Sequence, residues 1–154
     1  MVLNSLGGVL QRQGKFDEAI TAFQKSYELL LKLGDDRGQA MVLNSLGNVL
    51  HKQKKFDDSE KACRESIAIG EGLNDKSHLA KVRTAFGKTL LEQSKYQEAL
   101  TELKVGFEID EQNKNPQGMR IVTPSLTRAL SALGQESEAK EYAKRALMVA
   151  PNDY

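Results

Sequence analysis

The first ten residues, Met1–Leu10, read MVLNSLGGVL, and the ten residues from Met41 read MVLNSLGNVL. Looser copies, KVRTAFGKTL and IVTPSLTRAL, begin at Lys81 and Ile121. A second motif keeps the same interval: GKFDEAI, KKFDDSE, SKYQEAL and GQESEAK begin at Gly14, Lys54, Ser94 and Gly134. The period is 40 residues without insertion or deletion. We therefore predict one array, 1–154, with repeats 1–40, 41–80, 81–120 and 121–154.

The apolar pattern of each repeat predicts two α-helices. In the first helix, Leu3, Leu6 and Leu10 follow the spacing of one helical face. In the second helix, Phe16 and Phe23 begin an apolar stripe that polar side chains flank. No segment has the two-residue alternation of a half-buried strand. The sequence therefore predicts an all-α fold of four helix-turn-helix repeats, which makes eight helices.

The residues between the helices are typical of helix ends. Gly14 and Gly34 lie where helices should stop, since glycine readily adopts a positive φ. Asp35, Asp75 and Asn115 occupy equivalent positions and are predicted N-caps. Pro116 suits the first position of a helix.

Glycines in the middle of the first helices predict close packing. Gly7, Gly47 and Gly87 each cost about 1 kcal/mol relative to alanine, and contact with the second helix would offset that cost. We expect that contact at the small residues of the second helix, which are Ala19, Ser59, Ala99 and Ala139.

A proline interrupts the pattern of the fourth repeat. Pro124 should kink or break the first helix there, because it removes the bond to the Arg120 carbonyl and clashes with it. In the alternative interpretation, the helix begins only at Pro124, with Thr123 as its cap.

These features resemble the tetratricopeptide repeat. The resemblance rests on Leu-Gly in the first helix, an aromatic residue at the start of the second, and a small residue three positions later. The 40-residue length is similar to that of repeats in G-protein regulators of cell-division orientation and in large bacterial signalling proteins. Two departures are Glu136, which replaces the aromatic residue, and the family's proline, which is present only as Pro151. The resemblance implies a right-handed α-α superhelix whose first helices line a concave groove that holds protein segments.

A polar stripe on the first helices is the candidate binding site. Asparagine is a poor helix former, so local stability does not explain its presence inside helices at Asn4, Asn44 and Asn48. We expect these residues to have another role. Asn side chains can both donate to and accept from a peptide backbone, and Lys and Arg favour an acidic partner. The expected partner-binding residues are Asn4, Gln11, Arg12, Asn44, Asn48, His51, Lys52, Lys81, Thr84, Lys88 and Arg128. Glu92 is the one carboxylate beside them on this stripe.

Composition excludes several other classes of function. With 22 Lys and Arg against 21 Asp and Glu, the net charge is +1, which disfavours a nucleic-acid or anionic-membrane partner. No apolar run or N-terminal signal pattern is present, so we expect a cytoplasmic protein.

His51 and His78 are too far apart in sequence for a helical metal pair, and Cys63 is at a core position where we expect a buried, inert thiol. No nucleophile, phosphate loop or metal motif suggests an enzyme, and we expect no cofactor.

Two functions fit the repeats. The first is a scaffold that holds a polypeptide segment in the concave groove, and the alternative is a regulatory or sensor segment of a larger signalling ATPase or other multidomain protein. The first helix is about a turn short at Met1, so we expect the chain to be part of a longer array. The ends of such an array are apolar, so self-association through them is also expected.

Overall fold

The computed structural model describes residues 2–149, and Pro151 lies outside them. Within this range the backbone forms eight α-helices and no strand. The helices are α1 (Val2–Arg12), α2 (Phe16–Leu33), α3 (Asp36–Lys52), α4 (Phe56–Gly72), α5 (Lys76–Glu92), α6 (Tyr96–Gln112), α7 (Pro116–Ala132) and α8 (Glu136–Val149). They fall into two compact halves, one up to Asp75 and one from Lys76 onward.

Two of the predicted N-caps are confirmed by their hydrogen bonds. The Asp35 carboxylate accepts from the Gly38 backbone N–H at 2.9 Å, and the Asn115 side chain accepts from Gly118 N–H at 3.2 Å. Each side chain satisfies one of the backbone N–H groups that a helix start leaves without a partner.

The turn inside each repeat needs one residue in the left-handed backbone conformation, with a positive φ. Gly14 and Gly134 adopt it with φ of 75° and 74°, as predicted for Gly14. At the equivalent position of the second and third repeats, Lys54 and Ser94 have φ of 60° and 59°. A side chain at such a φ costs about 1–2 kcal/mol.

We expect Lys54→Gly to raise the free energy of unfolding by about 0.5–1 kcal/mol. Relief of the left-handed strain outweighs the greater entropy that glycine gives the unfolded chain. The matched variant is Gly14→Lys, which should lower stability by a similar amount. Urea titration followed by circular dichroism measures both. Equal stability of Lys54→Gly and the unchanged protein would contradict this account of the turn.

In the N-terminal half, consecutive helices pack in sequence order. α1 packs on α2, α2 on α3, and α3 on α4. The core joins Val42 and Val49 of α3 to Ala19, Phe23 and Leu30 of α2. The first helix of one repeat therefore completes the core of the repeat before it.

The C-terminal half follows the same order, with α5 on α6, α6 on α7 and α7 on α8. Phe107 of α6 meets Tyr142 of α8 edge to face, with ring centroids 4.9 Å apart. The Arg145 guanidinium lies 4.8 Å from the Tyr142 ring centre and binds both carboxylate oxygens of Glu111, at 2.5 and 3.0 Å. This bidentate pair lowers the pKa of the Glu111 carboxyl. It fixes α8 against α6.

The mid-helix glycines do allow close packing, but the main contact lies one turn away from the position expected. A Cβ at Gly7 would lie 2.5 Å from the Phe23 ring, and one at Gly47 would lie 2.9 Å from Cys63 Sγ. The predicted small residue still contributes at Ser59, whose hydroxyl donates to the Gly47 carbonyl at 2.7 Å. The Cys63 thiol is fully buried, as expected for its core position.

The predicted break at Pro124 is wrong, whereas the predicted kink stays a prediction. α7 runs continuously from Pro116 to Ala132, so a helix that begins at Pro124 is also wrong. Thr123 is not a cap, because its hydroxyl donates to the Met119 carbonyl one turn back, at 2.5 Å. Val122 and Leu126 are fully buried beside the proline. Their burial stabilises the helix on both sides of the missing hydrogen bond.

Candidate functional site

The predicted binding residues divide between the two halves. α1 and α3 lie side by side in the N-terminal half, as do α5 and α7 in the C-terminal half. We call the polar surface of the first pair the N-terminal wall: Asn4, Gln11, Arg12, Asn44, Asn48, His51 and Lys52. The surface of the second pair, the C-terminal wall, contains Lys81, Lys88 and Arg128.

Two asparagines of the N-terminal wall have unsatisfied acceptors. Asn4 and Asn44 occupy equivalent positions of α1 and α3, and both side chains are half-buried. The Oδ1 atom of each is buried and accepts no hydrogen bond from any described residue. A buried acceptor left unsatisfied costs about 1–3 kcal/mol. The same cost recurs in two successive repeats. A ligand that supplies N–H donors would relieve it twice if each side-chain amide rotates to bring its Oδ1 to the surface.

The other residues of the N-terminal wall surround these amides. Asn48 and Gln11 are half-buried, whereas Arg12 and Lys52 are exposed. A Cβ at Gly8 would lie 3.9 Å from Arg12 Nη1, so the guanidinium turns back along α1. The His51 ring packs edge to face on Phe56, with centroids 5.5 Å apart, which fixes the imidazole at the start of α4.

A carboxylate pairs with one cation of the C-terminal wall. Arg128 Nη1 lies 2.9 Å from Glu92 Oε1, between α7 and α5. Burial raises the pKa of the Asp110 carboxyl above its ordinary value, while the hydrogen bond from Asn115 and the charge of Lys81 lower it by smaller amounts. The wall is therefore of mixed charge. The sequence identified its cations but missed the influence of Lys81 on Asp110, since the second helix was expected to face away from the stripe.

Thr84 does not contribute to the C-terminal wall. Its side chain is buried, and its hydroxyl donates to the Ala80 carbonyl at 2.9 Å. It also lies 3.0 Å from the place of a Cβ at Gly106, so it fills space between α5 and α6. The threonine therefore has a packing role.

Apolar residues of the stripe were missed by sequence reasoning. Met41 of α3 and Ile121 of α7 are both exposed, and they are equivalent in the repeat to Lys81. The 40-residue period could have found them, because it places all three side chains at one position of the first helix. They add an exposed apolar side chain to each wall.

Family models described as tetratricopeptide repeat match residues 1–48, 38–112 and 128–153. A search of curated protein sequences finds no significant match. The crystal structure of BtubC (BKLC) from P. vanneervenii is similar to this chain, with a TM-score of 0.83 and 17% sequence identity over 99% of the chain. The chain spans 66% of the length of that protein. These matches confirm the predicted all-α repeat fold.

No helix among residues 2–149 has the length and apolar character that crossing a membrane requires. Within the same range, no three His, Cys, Asp or Glu side chains form a group that could hold a metal ion.

Proposed function

The chain belongs to the tetratricopeptide repeat family, and from that premise we propose that it is an interaction scaffold whose N-terminal wall binds an extended polypeptide segment. Repeats of this family generally mediate protein–protein interactions and are usually non-enzymatic. The observation that carries the proposal is the pair of unsatisfied acceptors at Asn4 and Asn44. The N–H groups of a peptide backbone are suitable donors once each side-chain amide rotates its Oδ1 to the surface.

The chemistry of an extended peptide matches a ladder of asparagines. Alternate residues of an extended chain present their N–H and C=O groups to the same side. An asparagine amide can accept from one such N–H and donate to a nearby C=O. Neither bond depends on the ligand's side chains, so the asparagines hold a segment without reading its sequence.

Side-chain preference then comes from the other residues of each wall, taken separately. Met41 offers an apolar surface on α3, while Ile121 and Lys88 lie on the C-terminal wall. Because Glu92 neutralises Arg128, we propose that acidic ligand side chains interact with Lys81 and Lys88 in particular. Such peripheral charges act mainly on the rate of association. A small metabolite fits less well, since metabolite sites are closed, apolar pockets.

We also propose a cytoplasmic location. The support is the single, buried cysteine, since a fold without disulfides suits a reducing compartment.

Asn44→Ala should weaken binding of a polypeptide segment about tenfold, which corresponds to about 1.4 kcal/mol for lost backbone hydrogen bonds. The probe is a peptide selected from a random display library against the 154-residue protein. Dissociation should become faster while association stays nearly the same, as biolayer interferometry would measure. Lys88→Glu should instead slow the association of an acidic peptide and flatten its salt dependence.

The matched control removes an amide from α2 in the same half. Gln24 is exposed on α2, so Gln24→Ala should leave binding unchanged. The proposal is wrong if the Asn44 variant binds normally while exposed changes on the second helices, Glu18→Lys or Lys61→Glu, abolish binding.

A further inference from the structure

A backbone carbonyl in the middle of α7 lacks its usual helical donor. In an α-helix each carbonyl accepts from the N–H four residues later, and for Arg120 that residue is Pro124, which has no N–H. The nearby hydroxyls donate elsewhere, Thr123 to the Met119 carbonyl and Thr127 to the Pro124 carbonyl. The Arg120 carbonyl is therefore an acceptor that its own helix does not satisfy in the ordinary way.

The equivalent carbonyls of the second and third repeats each have a side-chain donor. The Ala40 carbonyl accepts from the Ser66 hydroxyl at 2.7 Å, and the Ala80 carbonyl accepts from the Thr84 hydroxyl at 2.9 Å. In the fourth repeat Ala146 replaces the serine and a proline replaces the threonine. The carbonyl on α7 has thus lost the donors that its two counterparts use.

Pro124 lies on the exposed face of α7. Arg120, Pro124 and Arg128 follow one another at intervals of four residues, and all three are exposed. The proline therefore costs helix stability without filling space in the core, which is typical of residues kept for function. It also occupies the repeat position of Asn4 and Asn44, whose Oδ1 atoms accept no hydrogen bond from the described residues. The same position of the first helix thus provides an acceptor in three repeats.

We propose that the Arg120 carbonyl accepts a hydrogen bond from a backbone N–H of an extended, acidic polypeptide segment on the C-terminal wall, and that Pro124 keeps this carbonyl available. The inference rests on the proposed function, because it takes the same class of ligand. Acidic side chains suit this wall because Glu92, four residues after Lys88 on α5, pairs with Arg128 instead. The half-buried Lys88 is then the cation that a ligand carboxylate meets.

The test uses a peptide from a random display library enriched in Asp and Glu. The library is selected on the 154-residue Asn4→Ala/Asn44→Ala protein and depleted of peptides that still bind after Lys88→Glu, so that only binders of the C-terminal wall remain. Pro124→Ala restores the N–H and should weaken binding of the selected peptide about tenfold in biolayer interferometry, while it raises the urea midpoint of unfolding. The matched control is Pro116→Ala, at the first turn of α7, where a helix needs no N–H. That variant should bind normally.

Backbone methylation of the same peptide separates the hydrogen bond from a change in the shape of α7. Methylation of one nitrogen should weaken binding about tenfold when Pro124 is present and should have no effect in Pro124→Ala. Normal binding by Pro124→Ala, or an equal loss on methylation in both proteins, would overturn the proposal and leave water as the partner of the Arg120 carbonyl. A selection that yields no peptide dependent on Lys88 would overturn it as well. The N-terminal wall is tested independently by Asn44→Ala with its own peptide, so the two proposals can fail separately.

Discussion

Gly87→Val should lower the free energy of unfolding by about 3 kcal/mol. A Cβ at Gly87 would overlap the Leu103 side chain, and both residues are buried between α5 and α6. The backbone of α5 would have to move away from α6, which loosens the core of the C-terminal half. Urea titration followed by circular dichroism measures the loss.

A second change tests the cause of that loss. Leu103→Ala opens the space that the valine needs, so the double variant should be more stable than the sum of the two losses by about 1–2 kcal/mol. The control is Gly8→Ala on α1, where the new methyl group meets only Arg12 Nη1 at 3.9 Å. That variant should gain about 1 kcal/mol of helix propensity. Strict additivity at positions 87 and 103 would contradict the packing account.

Asp110→Leu should raise the free energy of unfolding by about 2 kcal/mol at neutral pH, because it removes a charge from the core. Asp110 is 6% exposed and lies against Gly118, at the position where the N-terminal half has Leu30 against Gly38. The leucine would therefore have a precedent in the same fold. The Asn115 side chain, which donates to Asp110 Oδ1 at 2.9 Å, is exposed enough for water to replace the carboxylate.

The gain in the free energy of unfolding from Asp110→Leu should depend on pH. Burial raises the pKa of the Asp110 carboxyl above its ordinary value, against smaller opposing effects of Asn115 and Lys81. The folded protein therefore holds this proton more tightly than the unfolded chain does, and Asp110 destabilises the fold above its raised pKa. As the pH falls from that raised pKa to below the ordinary pKa of the unfolded chain, the cost disappears. The stability difference between Asp110→Leu and the unchanged protein should thus be largest at neutral pH and shrink in acid.

The matched reverse change is Leu30→Asp. It places a carboxylate beside Asp35, where Asn115 stands in the C-terminal half. With a like charge in place of an amide donor, we expect a loss of about 3 kcal/mol. A neutral effect of both variants, or a gain for Asp110→Leu that does not depend on pH, would show that position 110 tolerates charge without cost.

Repetition explains why the fold could be predicted from the sequence. One 40-residue period assigned both helices of every repeat, and the positions of Asp35 and Asn115 gave two of their caps. The predicted contact of Gly7 was wrong by one helical turn. Large side chains such as Phe23 determine how two antiparallel helices are offset along their axes. The break considered at Pro124 was also wrong, because burial of the neighbouring residues is not visible locally.

The candidate site was less predictable because its chemistry depends on pairs of side chains. The period aligned Asn4 with Asn44, but it could not reveal that their acceptors are buried without partners. Nor could it reveal that Glu92 reaches Arg128, since that contact depends on side-chain conformation. At Thr84 the period predicted a binding residue that the structure places in the core. It shares the position of Asn4 and Asn44, yet its hydroxyl is satisfied within its own helix.

The central claim is that ligand backbone N–H groups donate to Asn4 and Asn44. The most direct test is the affinity of a library-selected peptide whose backbone nitrogens are methylated one at a time. Methylation at one or more positions should weaken binding about tenfold in the unchanged protein, and that loss should vanish in Asn4→Ala/Asn44→Ala. If methylation is tolerated at every position, or costs the same in both proteins, the asparagines do not bind the peptide backbone.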